Sequence, residues 1–217
     1  MKINKKKKRI TIGYIAYFVN VIFFIPFLLL IFLSHYFAVQ NGYIIIKWEL
    51  SELVLYGQLA KILFNTSMII ESFLLMLLMT PFILFLEEKI SKILYSIIIA
   101  VVCLSLLFVG IFPEDVFFNI HYIFGAIFFI GITIFSGYMS IFSMRKLAII
   151  PKYTSYIGFF STFMTIFHLA TRPFFGKGIT QRLSVFFWVF YLMFFYYYAY
   201  FRSNTVLYNE KEVVNPD

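Results

Sequence analysis

The apolar residues of this chain come in blocks of roughly twenty, separated by short polar connectors, and this feature most restricts what it can fold into. A block of about that length crosses about 30 Å of hydrocarbon as a helix. Six such runs can be placed, at about residues 10–33, 61–86, 93–112, 119–142, 155–171 and 183–201. They predict an all-α, polytopic bundle of six transmembrane spans. A basic segment at 1–9 precedes it, an outer loop at 34–60 follows the first span, and a polar tail at 202–217 closes the chain. Of the residues, 62% are hydrophobic and 13% charged, whereas soluble domains are about half apolar and about a quarter charged. The connectors are too short for a separate soluble domain, and no repeat period runs through the sequence.

Charge sets the expected orientation. The net charge is +8, and Lys5-Lys6-Lys7-Lys8-Arg9 looks like a nucleic-acid or targeting patch. Directly before an apolar run, however, such a cluster anchors a helix on the cytoplasmic side. The first run is too long for a cleaved signal core, and no small-x-small cleavage site follows closely; it reads as a retained helix kinked at Pro26. With the N-terminus inside, 13 of the 18 lysines and arginines fall on the cytoplasmic side, as the positive-inside rule requires. Both termini are then cytoplasmic and the partner is the lipid bilayer of the cell membrane, not a nucleic acid. The single cysteine, Cys103, lies within an apolar run and reads as a small buried hydrophobe.

On that topology the scarce polar groups collect at the outer face. The hairpin from Gly110 to His121 turns at Pro113, carries Glu114 and Asp115, and returns an imidazole to apolar sequence about two helical turns later. Glu49, Ser51 and Glu52 lie in the outer loop, Asn65 near the start of the second span, His168 and Arg172 at the end of the fifth, and Gln181 and Arg182 before the sixth. Charged groups in hydrocarbon cost at least about 3 kcal/mol at mid-depth, so this ring reads either as a polar pocket or as ion pairs fastening helices. For the latter, Glu52 or Asp115 would meet Arg172 or Arg182.

Glu71 stands apart, about nine residues into the second span and about 13 Å deep at the α-helical rise. It reads as a proton or cation relay or, with no second deep acid to continue one, as a neutral acid bonded to Ser105, Thr165 or an imidazole. His121 and His168 with Asp115 and Glu52 make a two-histidine, two-carboxylate zinc set conceivable. No HxxxH or HExxH spacing supports it, and no metal or other cofactor is expected. The aromatic block from Tyr191 to Phe201 reads as lipid-facing packing and interfacial anchoring. Glycine-rich phosphate loops, serine elbows and kinase signatures are absent from the sequence.

Ser51-Glu52-Leu53, Phe64-Asn65, Gly110-Ile111-Phe112-Pro113-Glu114-Asp115 with His121 behind it, and Gln181-Arg182 before Trp188 together resemble the domain-of-unknown-function family 998 (DUF 998). These are six-span integral membrane proteins. The family pattern runs Ser-Asp/Glu-Leu-Gly, Phe-Asn, Gly-x-Phe-Pro then His, and an acidic or amide residue with Arg before the last helix. The resemblance covers about residues 40–190. Val54 replaces the pattern's glycine, and Glu71 stands where a small or apolar residue is expected. The resemblance implies the six-span fold and a polar outer site. It also implies a distant similarity to Frag/DRAM/Sfk-type membrane proteins, some of them linked to lipid handling. The resulting expectation is a non-enzymatic protein that binds a lipid headgroup or small polar ligand through Glu52, Asn65, Asp115, His121, His168, Arg172 and Arg182. The alternatives are a membrane-embedded, metal-dependent lipid hydrolase and a small proton-coupled transporter using Glu71. No oligomeric state follows from the sequence.

Overall fold

The fold is given by a computed structural model that describes residues 2–86, 88–146, 150–172 and 176–202. The polar tail beyond Arg202 and residues 147–149 of the basic connector lie outside the described residues. The described residues form six α-helices: α1 (Lys2–Gln40), α2 (Gln58–Met79), α3 (Lys89–Ile111), α4 (Glu114–Lys146), α5 (Lys152–Thr171) and α6 (Lys177–Tyr197). No strand occurs among the described residues. Five stretches, Thr11–Gln40, Gln58–Phe85, Lys89–Ile111, Glu114–Arg145 and Lys177–Phe201, are long and apolar enough to cross a membrane. The protein is thus an all-helical, multi-pass membrane protein.

Consecutive helices pack side by side in an antiparallel series, α1 on α2 through to α5 on α6. Small residues permit the closest approaches, as membrane interfaces require. At Gly110 an added Cβ would lie 2.9 Å from the Asn65 carbonyl oxygen of α2. One end of the bundle is solid. There Trp188, Tyr191, Phe195, Tyr196 and Tyr200 are buried against Phe82, Tyr95 and Phe135. The aromatic block expected to face lipid therefore supplies much of the core. Its hydroxyls explain why: Tyr200 donates to the Leu78 carbonyl at 2.8 Å, Tyr95 to the Met79 carbonyl at 3.1 Å, and Tyr196 pairs with Tyr95. A buried tyrosine needs such a partner, and the carbonyls come from the end of α2, where the backbone passes into a 3-10 turn at Thr80–Phe85.

The other end is built differently. Residues 34–40, read from sequence as the start of the outer loop, continue α1 to Gln40. The segment from Asn41 to Gly57 then folds over the bundle as a roof. It contains a 3-10 turn at Ser51–Tyr56 and ends at Gly57, whose φ of 126° lies where side chains are rarely tolerated. Tyr43, Leu53 and Val54 pack with Ala38, Ala60 and Phe64 in a small core of its own. Against the roof, α4 begins at Glu114 and is broken once, at Phe117 (φ −125°, ψ 48°). Gln181 and Arg182, expected before the sixth span, sit with Gly178 on the first turns of α6.

Candidate functional site

Beneath the roof the bundle is hollow. A cavity of about 490 Å³ is lined by residues from all six helices and the roof, a size typical of pockets for single small ligands. Its walls are apolar, with Phe27, Leu28, Met68, Leu106, Val109 and Phe128 among them. Its polar groups gather under the roof, apart from Glu71, which lines the far end.

The roof is held down by charge. Glu49 is 3% exposed, and both its oxygens accept from Arg172: Oε1 from Nε and Oε2 from Nη2 at 2.6 Å. Glu52 caps the 3-10 turn by accepting the Glu49 N–H at 2.6 Å and pairs with Lys177 at 2.6 Å. Gln181 accepts the Leu50 N–H at 2.5 Å. Arg182 donates through Nη1 to the carbonyls of Ile45 (2.8 Å), Trp48 (3.0 Å) and Gly178 (2.8 Å). Its Nη2 reaches the Tyr43 hydroxyl and His35 Nε2, the latter at 3.1 Å. Because His35 Nδ1 donates to the Ile31 carbonyl at 2.8 Å, its Nε2 carries the lone pair this contact requires. Burial pushes the Tyr43 hydroxyl up to about 12, against the pull of Arg182. It therefore stays protonated at neutral pH and donates to the Glu49 carbonyl at 2.8 Å.

These pairings differ from the expected ones. Neither Glu52 nor Asp115 meets Arg172 or Arg182; Asp115 is paired with Lys61 at 2.6 Å, away from the cavity. That pair is partly solvated, and exposed pairs are worth about 0.5 kcal/mol, so Asp115→Asn should move the unfolding midpoint little. A shift comparable to those set out in the Discussion would show that the pair carries the hairpin. Ser105 and Thr165, proposed partners of Glu71, donate instead to carbonyls of their own helices. With Glu52 and Asp115 drawn off by lysines, the four-residue zinc set is not assembled. No group of three or more His, Cys, Asp and Glu side chains suited to a metal exists among the described residues.

Of the residues singled out from sequence, His121, His168, Arg172, Arg182 and Glu71 line the cavity, whereas Glu52, Asn65 and Asp115 do not. Asn65 is turned elsewhere, and its buried Oδ1 has no partner. His35, Glu114, Tyr122 and Trp188 join the lining although the sequence-derived set omits them. Helical spacing was the available signal for Gly125, four residues after His121 on the kinked helix; it gave none for Tyr122. For His35 there was none, because its helix continues beyond the expected span.

Several polar atoms at the roof end retain unused hydrogen-bonding capacity. His121 Nδ1 donates to the Phe112 carbonyl at 2.7 Å, clipping the hairpin, while its Nε2 lies 3.9 Å from Glu114 Oε2. That gap is too long for a direct bond, and Glu114 Oε2 is buried with no partner. His168 Nδ1 lies 3.0 Å from Thr180 Oγ1, which itself donates to the Lys177 carbonyl. The imidazole is therefore the donor, leaving Nε2 as its remaining valence. The Arg172 guanidinium stacks over the Tyr122 ring at 4.8 Å and, with Nε and Nη2 committed to Glu49, has Nη1 left over. Together these groups offer an anionic or hydroxyl-bearing headgroup both donors and acceptors at the end of an apolar chamber.

A family model described as "Protein of unknown function (DUF998)" matches residues 21–197, from within α1 to the last residue of α6. No curated protein and no solved structure matches the chain. The matched stretch takes in the whole roof and all the walls of the hollow beneath it, and the chain belongs to the DUF998 family.

Proposed function

We propose that this protein is a six-span protein of the cell membrane that holds one amphipathic lipid-like molecule, with its apolar body in the chamber and its headgroup under the roof. The observation that carries this reading is the cavity itself: apolar walls of about 490 Å³ closed at one end by polar groups with valences to spare. Helix α5 makes the sixth span. At 20 residues it is about 30 Å long, and its low hydropathy comes from hydroxyls such as Ser155, Ser161 and Thr165, all buried against its neighbours. The positive-inside bias supports a cytoplasmic N-terminus and an external roof.

Access from the bilayer fits the arrangement of α1 and α6. The two helices are tied at one end by Arg182 and His35 and at the other by Tyr14 and Tyr17 against Tyr197 and against Phe201 of the turn that continues α6. Between those ties Leu28 of α1 and Phe186 of α6 border the cavity while remaining 47% and 60% exposed. A chain sliding between them would pass from lipid into the chamber without crossing the polar roof. The residues contacting the head would be Arg172, His121 and His168, with Arg182 holding the roof in place. No reaction is required by this arrangement.

Gly125 provides the test. It lines the cavity, and nothing lies within 4 Å of an added Cβ. Gly125→Phe should fill the chamber while improving helix propensity by about 0.5 kcal/mol. Protein purified in mild detergent and extracted for mass spectrometry should carry a bound amphiphile in the parent, at least about tenfold depleted in the variant, with unchanged thermal stability. The tenfold loss corresponds to about 1.4 kcal/mol. Equal lipid content in the two proteins would defeat the proposal.

A further inference from the structure

Resting on the chamber reading, a second feature bears on which molecules fit. The walls away from the roof are apolar with one exception, Glu71 of α2. It is 9% exposed and lines the cavity, and it makes no hydrogen bond or ion pair among the described residues; the thiol of Cys103 lies near enough to feel its charge, but a thiol is only a weak donor. Trp188, which lines the same hollow, keeps its indole N–H buried without a partner. Below Glu71 lies only a void of about 20 Å³ that it shares with Asn20, and the Asn20 amide donates to the Ala16 carbonyl at 3.0 Å. Leaving a polar group in such a wall without a partner costs several kcal/mol, about 2 at the least. An apolar residue would fill the position at no such cost, so the carboxyl needs a partner that the fold does not supply.

We infer that Glu71 is a selectivity determinant that receives a hydrogen-bond donor, an alcohol or amine carried on the ligand's apolar body, at the end of the chamber away from its head. Along α1 the cavity runs from His35 under the roof to Phe24 beside Glu71, eleven residues or about 16 Å of helix. The ligand therefore carries polar groups at two ends separated by an apolar stretch of about that length, unlike an ordinary acyl chain ending in methyl. Two further polar groups could assist: Trp188, which lines the same hollow, and Asn20, which shares the small adjoining void with Glu71.

The inference is tested with two soluble probes, ω-hydroxydodecanoate and dodecanoate, titrated against the full-length protein after delipidation. The parent should bind the hydroxylated probe about fivefold more tightly, the ratio expected from one added hydrogen bond of about 1 kcal/mol. Glu71→Leu and Glu71→Met should each abolish the preference while binding dodecanoate at least as well as the parent. The methionine variant conserves volume should leucine disturb packing. Gly125→Phe should lose both probes. Equal binding of the two probes by the parent, with both Glu71 variants unchanged, would overturn the inference and leave the chamber reading standing. A water in the small void, which is large enough for one, would then be the carboxyl's partner. Failure of the parent to bind either probe would overturn both.

Discussion

Replacing Arg172 by alanine is expected to destabilise the protein by about 3 kcal/mol, read as the loss of unfolding free energy in detergent micelles. The reason lies with its partner. Glu49 is 3% exposed in the roof, and both its oxygens accept from the Arg172 guanidinium. Removing the arginine leaves a buried carboxylate with no countercharge, and an uncompensated buried charge costs more than the intact pair contributes. The sign of a second substitution makes the argument specific. Glu49→Gln in the Arg172→Ala background should restore part of the stability, because the charge that suffers is then gone. If the single variant unfolds within about 0.5 kcal/mol of the parent, the pair is an ordinary exposed contact. The Arg172 side chain is 31% exposed, which keeps the expected value at the low end of the range for buried pairs.

Gly178→Ala should be comparably damaging, although helix propensity alone predicts the opposite. Gly178 lies on the first turn of α6, where alanine would ordinarily gain about 1 kcal/mol. Here an added Cβ would stand 2.3 Å from the Trp48 carbonyl oxygen and 2.5 Å from that of Ile45, both backbone atoms of the roof. Those are the carbonyls that Arg182 Nη1 clamps. The roof must lift to admit the methyl, and the clamp is lost with it. Overpacking costs about 2 kcal/mol and the two lost hydrogen bonds to the charged donor about 1.5 kcal/mol each; set against the gain of about 1 kcal/mol in helix propensity, a net loss of about 4 kcal/mol is expected. Limited proteolysis of the segment 41–57 should also accelerate, since its attachment to α6 is what fails. A stabilised variant with unchanged proteolysis would mean that the roof does not sit on Gly178 in solution.

How far the sequence reached can be seen in the polar residues. The prediction that acids, histidines and arginines collect at one end of the bundle needed only the spans and the cost of charge in hydrocarbon. His121, His168, Arg172 and Arg182 were accordingly legible as cavity residues. The pairings were not. Asp115 goes to Lys61 and Glu52 to Lys177, because which charge meets which depends on the rotation of each helix and on the path of the roof. The same applies to Tyr191, Tyr196 and Tyr200. Composition marks them as interfacial residues, yet each is at 0% exposure, since the Leu78 carbonyl at the end of α2 accepts the Tyr200 hydroxyl, Tyr95 pairs with Tyr196, and Tyr191 meets the Ser140 hydroxyl. The motif fragments pointed to the family whose model matches residues 21–197, but they could not tell that Asn65 lies outside the lining of the hollow.

The number and length of the apolar blocks by themselves made this an all-helical membrane protein, because a backbone in hydrocarbon must satisfy its own hydrogen bonds within each segment. The hollow required the tertiary structure. Whether six helices close into a solid core or part around a chamber depends on which side chains meet between them, and aromatic residues fill one half of the bundle while the roof spans the other. Glu71 shows the difference most plainly. Its depth could be counted along the chain, but only the packed neighbours reveal that its carboxyl lines a cavity with no hydrogen-bond partner among the described residues.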